Sequence, residues 1–340
     1  MPGFDAIIGQ DRILRTLTRL LTRGTLPHAL LFTGIEGVGK KTTATAVVMA
    51  CNCTRGGRSV PESFAGACGA CAACRKIAAG SHPDVRQLAP DGGMIKIDPI
   101  RELCGFLSMK PHEARTRAVI IADAQTMNPA AGNALLKMLE EPPPQTVMIL
   151  TAVQAADVLP TVASRCRQFH FAPIPRQELA TILIRDLGVS PAEADVTAAL
   201  AGGSVTRAMA IQGRHGLQRR TWLLAQLFDL PRQNPLGLLA LAEKLSRERI
   251  EISADLDLMA SWLRDVAIAR HCPEKMMHAD LRQSFHDAAG GMHDAAIGAA
   301  SMDSGYFSEE NVEWLKEHEI DGYVATERIK HNERVPEAPR

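Results

Sequence analysis

Three groups of residues have types and spacing that suit chemistry. The first is Gly34-Ile35-Glu36-Gly37-Val38-Gly39-Lys40-Lys41-Thr42, between the apolar run Ala29-Leu30-Leu31-Phe32 and the helix-like Thr42–Ala50. A strand, a glycine-rich turn and a helix N-terminus aim backbone N–H groups at a polyphosphate, and a lysine in the place of Lys40 reaches its β and γ oxygens. The position after that lysine ordinarily carries the hydroxyl that ligates Mg²⁺. Here it is Lys41, a cation with no lone pair to give a metal. Gly34, Gly37, Gly39, Lys40, Lys41 and Thr42 therefore form a phosphate loop impaired for metal-assisted hydrolysis. The second half of such a site is expected at the end of the buried run Ala118-Val119-Ile120-Ile121-Ala122-Asp123, where paired carboxylates hold the metal and polarise water. The first of those positions is Ala122, and only Asp123 follows, so two independent losses fall on one metal.

The second group is Cys53, Cys68, Cys71 and Cys74, separated by fourteen, two and two residues. Four soft ligands close a tetrahedral structural zinc site and leave no open position for a catalytic water. An iron–sulfur cluster also uses C-x₂-C-x₂-C, but the C-x₃-C-P continuation is missing after Cys74. Cys51 is an alternative fourth ligand to Cys53. The third group is Arg165 within Ser164-Arg165-Cys166: a guanidinium at the rim of an ATPase domain either reaches a neighbour's γ-phosphate or makes an ordinary surface ion pair. Arg207 is a phosphate-sensing candidate or a solvated residue, His28 reads as packing or capping, and Cys104 and Cys272 read as buried small hydrophobes.

The elements that must position these groups follow from hydrophobic period. Residues 5–23 read as an amphipathic helix, with Ile8, Ile13, Leu14, Leu17, Leu20 and Leu21 on one side and Arg12, Arg15 and Arg19 between them. Strands are expected at 29–32, Asp84–Leu88, Ala118–Asp123, Thr146–Thr151 and Gln168–Phe171. Helices are expected after the loop, before Gly80, from Asp98 as N-cap with Pro99 first in the helix, and over Pro129–Glu141. Unbroken apolar strands alternating with helices give an α/β domain with a mostly parallel sheet, ending near Pro173–Pro175. Helical patterns then run from Gln177 to about Gly213 and from Leu217 to about Ala289, where the stripes with Trp222 and Trp262 read as core.

With 340 residues the chain has room for two or three domains, and 46% apolar content with only 4% aromatics points to aliphatic cores. A formal net charge of zero argues against a strongly basic nucleic-acid binder, although a neutral total can hide a local patch. No charged-then-apolar leader is seen and no apolar run reaches the ~20 residues of a membrane span, so a cytoplasmic protein is expected. Eight cysteines then mean metal or buried thiols rather than disulfides.

Residues 6–175 resemble the AAA+ clamp-loader subunits of bacterial DNA polymerase III. The likeness is carried by Ile8-Gly9-Gln10, Leu26-Pro27-His28-Ala29-Leu30-Leu31-Phe32-Thr33-Gly34, the cysteine module, Ser81-His82-Pro83-Asp84-Val85, Asn133–Pro143 and Ser164-Arg165-Cys166. Within that family Lys41 and Ala122 resemble the delta-prime branch, whose ATP chemistry is degraded and whose arginine finger is retained, rather than the gamma/tau motor subunits. The resemblance implies an AAA+ core at 1–175 with a zinc module at 53–74, a helical lid at 176–213 and a helical collar domain at 214–292. It implies Zn²⁺ held by Cys53, Cys68, Cys71 and Cys74, no Mg²⁺, doubtful ATP binding, and Arg165 acting in trans. The partners it implies are delta and gamma/tau subunits in a hetero-pentamer, the beta sliding clamp, and primed DNA through the complex. A gamma/tau-type ATPase using Lys40 and Asp123 is the competing expectation. The last stretch, 293–340, departs from the pattern. Asp303–Asn311 and Ile320–Thr326 look like a fragment of an insertion-sequence transposase of the Asp-Asp-Glu type, with Asp303 matching one metal-binding acid and its partners missing, so no transposition chemistry is expected.

Overall fold

Buried strands and the helices between them account for the architecture of the computed structural model. It describes residues 3–4, 7–55, 66–213, 216–229, 239, 241–243, 245–246, 252–269, 272–281, 299–302 and 321–324. The chain divides into two compact units, residues 1–219 and 220–340.

Unit 1 is built on a five-stranded sheet of β1 (Ala29–Thr33), β2 (Val85–Leu88), β3 (Arg117–Ile121), β4 (Thr146–Ala152) and β5 (Arg167–His170), in the order β2-β3-β4-β1-β5. Every pairing is parallel, with Leu31 opposite Leu150 on one side and Gln168 on the other. Both faces are covered, which is why the central strands read as unbroken apolar runs. Alternate residues serve the two faces. Leu30, Phe32, Ala118, Ile120, Val147 and Ile149 join one core with α1 (Asp11–Thr22), α2 (Lys40–Asn52) and α3 (Ala72–Ala78). Ala29, Leu31, Val119, Ile121, Met148 and Leu150 join the other with α4 (Ile97–Ser108), α5 (Pro129–Glu140) and α6 (Pro160–Ala163). This is the α/β arrangement with a parallel sheet covered on both faces that the sequence led to expect. A three-helix lid follows, α7 (Arg176–Leu187), α8 (Pro191–Ala201) and α9 (Val205–Gly213), around Leu179, Leu183, Ala194 and Ala198. Glycines with positive φ, Gly188 at 65° and Gly202 at 57°, end α7 and α8.

Several boundaries differ from expectation for identifiable reasons. The first helix starts at Asp11, not at residue 5: Gly9 has φ 76°, and Gln10 donates to Ala172 O at 2.7 Å and accepts from Ala172 N–H at 3.2 Å, so Ile7–Gln10 is tied to the exit of β5. The helix after the loop starts at Lys40 rather than Thr42, because Gly39 at φ 94° is its N-cap. The N-cap of α4 is Lys96, not Asp98, which lies inside the first turn with Pro99 after it. Ile95 donates to Thr126 O and accepts from Asn128 N–H, which fixes the chain as extended until one residue before the helix.

The described part of unit 2 is helical around Leu223, Leu224, Leu227 and Trp262, on α10 (Gly216–Asp229) and α11 (Ile252–Ile268), with Trp222 packed beside them. Both tryptophans are thus core. A buried polar net holds it: Arg220 donates to His278 Nδ1 at 3.0 Å and forks onto Asp280 at 2.9 and 2.7 Å, while His278 Nε2 lies 2.9 Å from Ser261 Oγ. Two short strands, β6 (Ala299–Met302) and β7 (Asp321–Val324), pair in parallel. Asp303, Tyr306 and most of the transposase-like stretch lie outside the described residues. Among the described residues no helix is long and apolar enough to cross a membrane.

Candidate functional site

The glycine-rich loop leaves the C-terminal end of β1, which lies between β4 and β5, and leads into the N-terminus of α2. Gly34 N–H donates to Val153 O at 2.9 Å, which anchors the loop to the end of β4. A cleft of about 460 Å³ lies over it, walled by Gly37–Thr42, by Ala122, Asp123 and Thr151 at the strand ends, and by Arg185, Asp186, Val205 and Thr206 from the lid.

Lys40 is buried, and its Nζ donates to Gly34 O and, at 2.8 Å, to Ile35 O. Burial pushes its pKa down, against the charges of Asp123 and Glu36, which raise it. Lys41 is exposed and also lines the cleft. Of the hydroxyls that follow, Thr42 lines the cleft one position further along the helix, and Thr43 is buried with its Oγ1 donating to Gly39 O at 2.9 Å inside the helix. On the opposite wall Ala122 contributes only a methyl group. Asp123 stands at φ 50°, held by its N–H to Thr151 Oγ1 at 3.1 Å. Gly37, Gly39, Lys40, Lys41, Thr42 and Asp123 thus line one cleft, and Gly34 is joined to it through its carbonyl, which accepts from Lys40 Nζ.

The lid closes on the loop by a contact that sequence reasoning missed. Val205 N–H donates to Gly37 O at 3.0 Å, and a Cβ at Gly37, whose φ is 77°, would strike Ser204 Oγ and come within 2.7 Å of Thr206 N. Arg207 is exposed on α9, and its neighbours Val205 and Thr206 are the lid residues that line the cleft.

Arg165 lies just before β5, with 37% of its side chain exposed. Its Nη2 pairs with Glu140 Oε1 at 2.6 Å at the end of α5, and its Nη1 donates to Thr161 O at 2.9 Å in α6. An exposed pair of this kind is worth about 0–1 kcal/mol, so the guanidinium is positioned yet easily exchanged to another anion.

The cysteines of the second group come together: the Sγ atoms of Cys53, Cys68, Cys71 and Cys74 all lie within 4.8 Å of one another. Of the two alternatives for the fourth ligand, Cys53 is in the cluster. Cys51 is on α2 and outside it, and burial raises its thiol to about 12. Backbone N–H groups point at the sulfurs, Cys68 N–H at Cys53 Sγ (3.4 Å), Cys71 N–H at Cys68 Sγ (3.3 Å) and Cys74 N–H at Cys71 Sγ (3.5 Å). At Cys71 these donors favour the thiolate form. Burial raises the Cys71 thiol, but hydrogen bonds from Cys74 and Thr54 outweigh it and bring it down to about 5. Four mostly buried sulfurs with oriented N–H donors fit a closed metal site such as zinc.

The minor candidates have ordinary places. His28 Nε2 lies 2.9 Å from Leu139 O, a packing role. Cys104 and Cys272 are half-buried rather than buried, with Cys104 Sγ donating to Ala134 O at 3.6 Å. Missed altogether was Asp84, which is fully buried and accepts from His112, Glu113 and Ala114 N–H groups and from Arg117 Nη2, all within 2.8 Å.

With this geometry in hand, comparison with known proteins is specific. The family model described as DNA polymerase III, delta subunit, matches residues 9–175. The delta-prime subunit of DNA polymerase III from Pseudomonas aeruginosa is 34% identical over 266 residues, 75% of this chain and 77% of that protein. The delta-prime subunit from Escherichia coli is 31% identical over 259 residues, 75% of this chain and 74% of that protein. The gamma/tau subunit from Mycobacterium tuberculosis is 33% identical over 187 residues, 54% of this chain but only 31% of that protein.

Proposed function

The chain belongs to the DNA polymerase III delta-prime family of clamp-loader subunits, and from that premise we propose that it is a non-hydrolysing subunit that lends Arg165 to an ATPase neighbour. In this reading delta and gamma/tau subunits complete a hetero-pentamer, and the assembly loads the beta sliding clamp on primed DNA. The observation that carries it is the composition of the cleft. Where a hydrolytic site needs a hydroxyl and a carboxylate for magnesium, this one has Lys41 and Ala122. In other active sites, removing one group that stabilises developing charge costs roughly 3–4 kcal/mol, so two losses leave negligible turnover.

Support for the finger is the exposure of Arg165 and its weak hold on Glu140, which an incoming phosphate outcompetes. In a complex reconstituted with delta and gamma/tau subunits, Arg165→Ala is expected to lower DNA-stimulated ATP hydrolysis by a factor of ten or more while the ring still assembles. An unchanged rate removes the role. The likeness to gamma/tau sustains the competing reading, an autonomous ATPase using Lys40 and Asp123, and turnover by the isolated chain would favour it.

The cysteine cluster is proposed to hold structural zinc through Cys53, Cys68, Cys71 and Cys74. Bound metal would cross-link the end of α2 to the start of α3 and supply no reaction chemistry. The tail from about residue 295 is proposed to be a fragment of an insertion element that interrupted the gene. Absence of a transposase-like reading frame downstream in the genome would refute this.

A further inference from the structure

Helix α1 carries charge that neither the cleft nor the cysteine cluster uses. Its buried stripe is Ile13 and Leu17, with Leu20 packed beside them. Arg12, Arg15, Arg19 and Arg23 follow at spacings of three, four and four residues, and all are exposed. At 3.6 residues per turn the four fall within about 80° of arc, centred roughly 130° around the helix from the buried stripe, in a row about 16 Å long. Among the described residues no carboxylate is in ion-pair range of any of them, and the one side-chain hydrogen bond from the row is Arg15 Nε–H to Asp11 O at 3.3 Å.

The first half of this row works against the helix that bears it, whereas Arg19 in the last turn is favoured by the helix dipole. Like charges three and four residues apart repel, and Arg12 and Arg15 sit at the positive end of the helix dipole with Asp11 the lone acid in the first turn. The whole chain is neutral, so the excess is local. Every cation in the first 39 residues is arginine, whose planar fork suits phosphate oxygens, and no lysine occurs before Lys40. Duplex DNA presents about one phosphate per 1.7 Å of its axis, so a straight row of this length meets phosphates in any register.

We propose that the arginine row of α1 is a sequence-independent contact for the phosphate backbone of duplex DNA. It stands on the placement of charge and is independent of the finger and of the cleft. The test is fluorescence anisotropy of a labelled random-sequence duplex with the full chain, titrated from about 50 to 200 mM salt, where each phosphate contact adds about 0.9 to the slope of log K against log salt.

The variants are Arg12→Gln/Arg15→Gln/Arg19→Gln/Arg23→Gln, the corresponding quadruple change to Lys, and the milder Arg12→Gln/Arg19→Gln in case the first fails to fold. The glutamine quadruple is expected to bind at least ten-fold more weakly at low salt with the slope reduced by about 3, the double variant by about half that, and the lysine quadruple to keep most of the slope. No binding by the native chain at about 50 mM salt, or a slope unaltered by the glutamine changes, overturns the proposal. So does tighter binding of a poly-glutamate peptide than of DNA, which would assign the row to an acidic protein surface.

Discussion

Single residues set the composition of the cleft, with Lys41 and Ala122 in its lining. Lys41 and Ala122 could be read in the sequence because motif positions are fixed by the strand–loop–helix geometry around them. The fate of Lys40 could not, since its bonds to Gly34 O and Ile35 O depend on the curvature of the loop. The same is true of Asp84, which looked like the first residue of a strand and is instead a buried carboxylate. Its backbone donors come from residues 112–114, some thirty positions away, and its guanidinium from Arg117. Asp84→Ala would strand the Arg117 charge in the interior and is expected to cost about 3–5 kcal/mol, read as a lowered midpoint in urea unfolding. Although burial raises its pKa, those hydrogen bonds hold Asp84 well below the ordinary carboxylate range. Its contribution is therefore complete above about pH 4 and fades as pH falls further, so the variant should show a shallower acid dependence than the native chain.

At the scale of elements, strand positions were legible, as was the start of α5 at Pro129, while other helix starts were not. Strands buried on both faces announce themselves by unbroken apolar runs, whereas α1 and α4 begin where distant partners release the backbone: Ala172 for the one, Thr126 and Asn128 for the other. The lid was legible as helices, but its bond to the loop rests on a backbone N–H that any sequence supplies. Gly37→Ala is expected to break that bond, because the position is left-handed and Ser204 and Thr206 fill the space. Faster amide exchange at Val205 and its neighbours in α9, with the sheet unaffected, is the expected signature. In the cysteine module the local C-x₂-C-x₂-C spacing was enough to find three of the clustered thiols, and only the fold could choose Cys53 over Cys51 as the fourth. Purified protein should carry about one zinc, lost in Cys68→Ser/Cys71→Ser together with part of the thermal stability.

For the whole molecule, a parallel α/β core followed by helices was legible from the alternation of patterns, and the polar net of the second unit was not. Arg220 Nε–H donates to His278 Nδ1, so the neutral ring carries its proton on Nε2, toward Ser261 Oγ. Burial, and then the Arg220 charge, push the His278 pKa down to about 4 against the opposing pull of Asp280. An unfolded histidine takes up its proton near pH 6.5, so the unfolded state is favoured as pH falls from there toward 4, by about 3 kcal/mol in all, and stability is flat above. Asp265, raised by burial, acts with the opposite sign at the acid end of that range, so the histidine effect is clearest in the part of the range nearest pH 6.5. Loss of the second unit's cooperative melting in that window, before the first unit melts, is the expected observation.

The central claim is that the cleft over Gly34–Thr42 lacks what magnesium needs. The direct measurement is single-turnover hydrolysis of radiolabelled ATP with Mg²⁺ by the isolated chain in excess, alongside Lys40→Ala. Phosphate release indistinguishable between the two proteins, at the uncatalysed rate, is predicted. Release by the native chain that disappears in the Lys40→Ala protein would contradict the account.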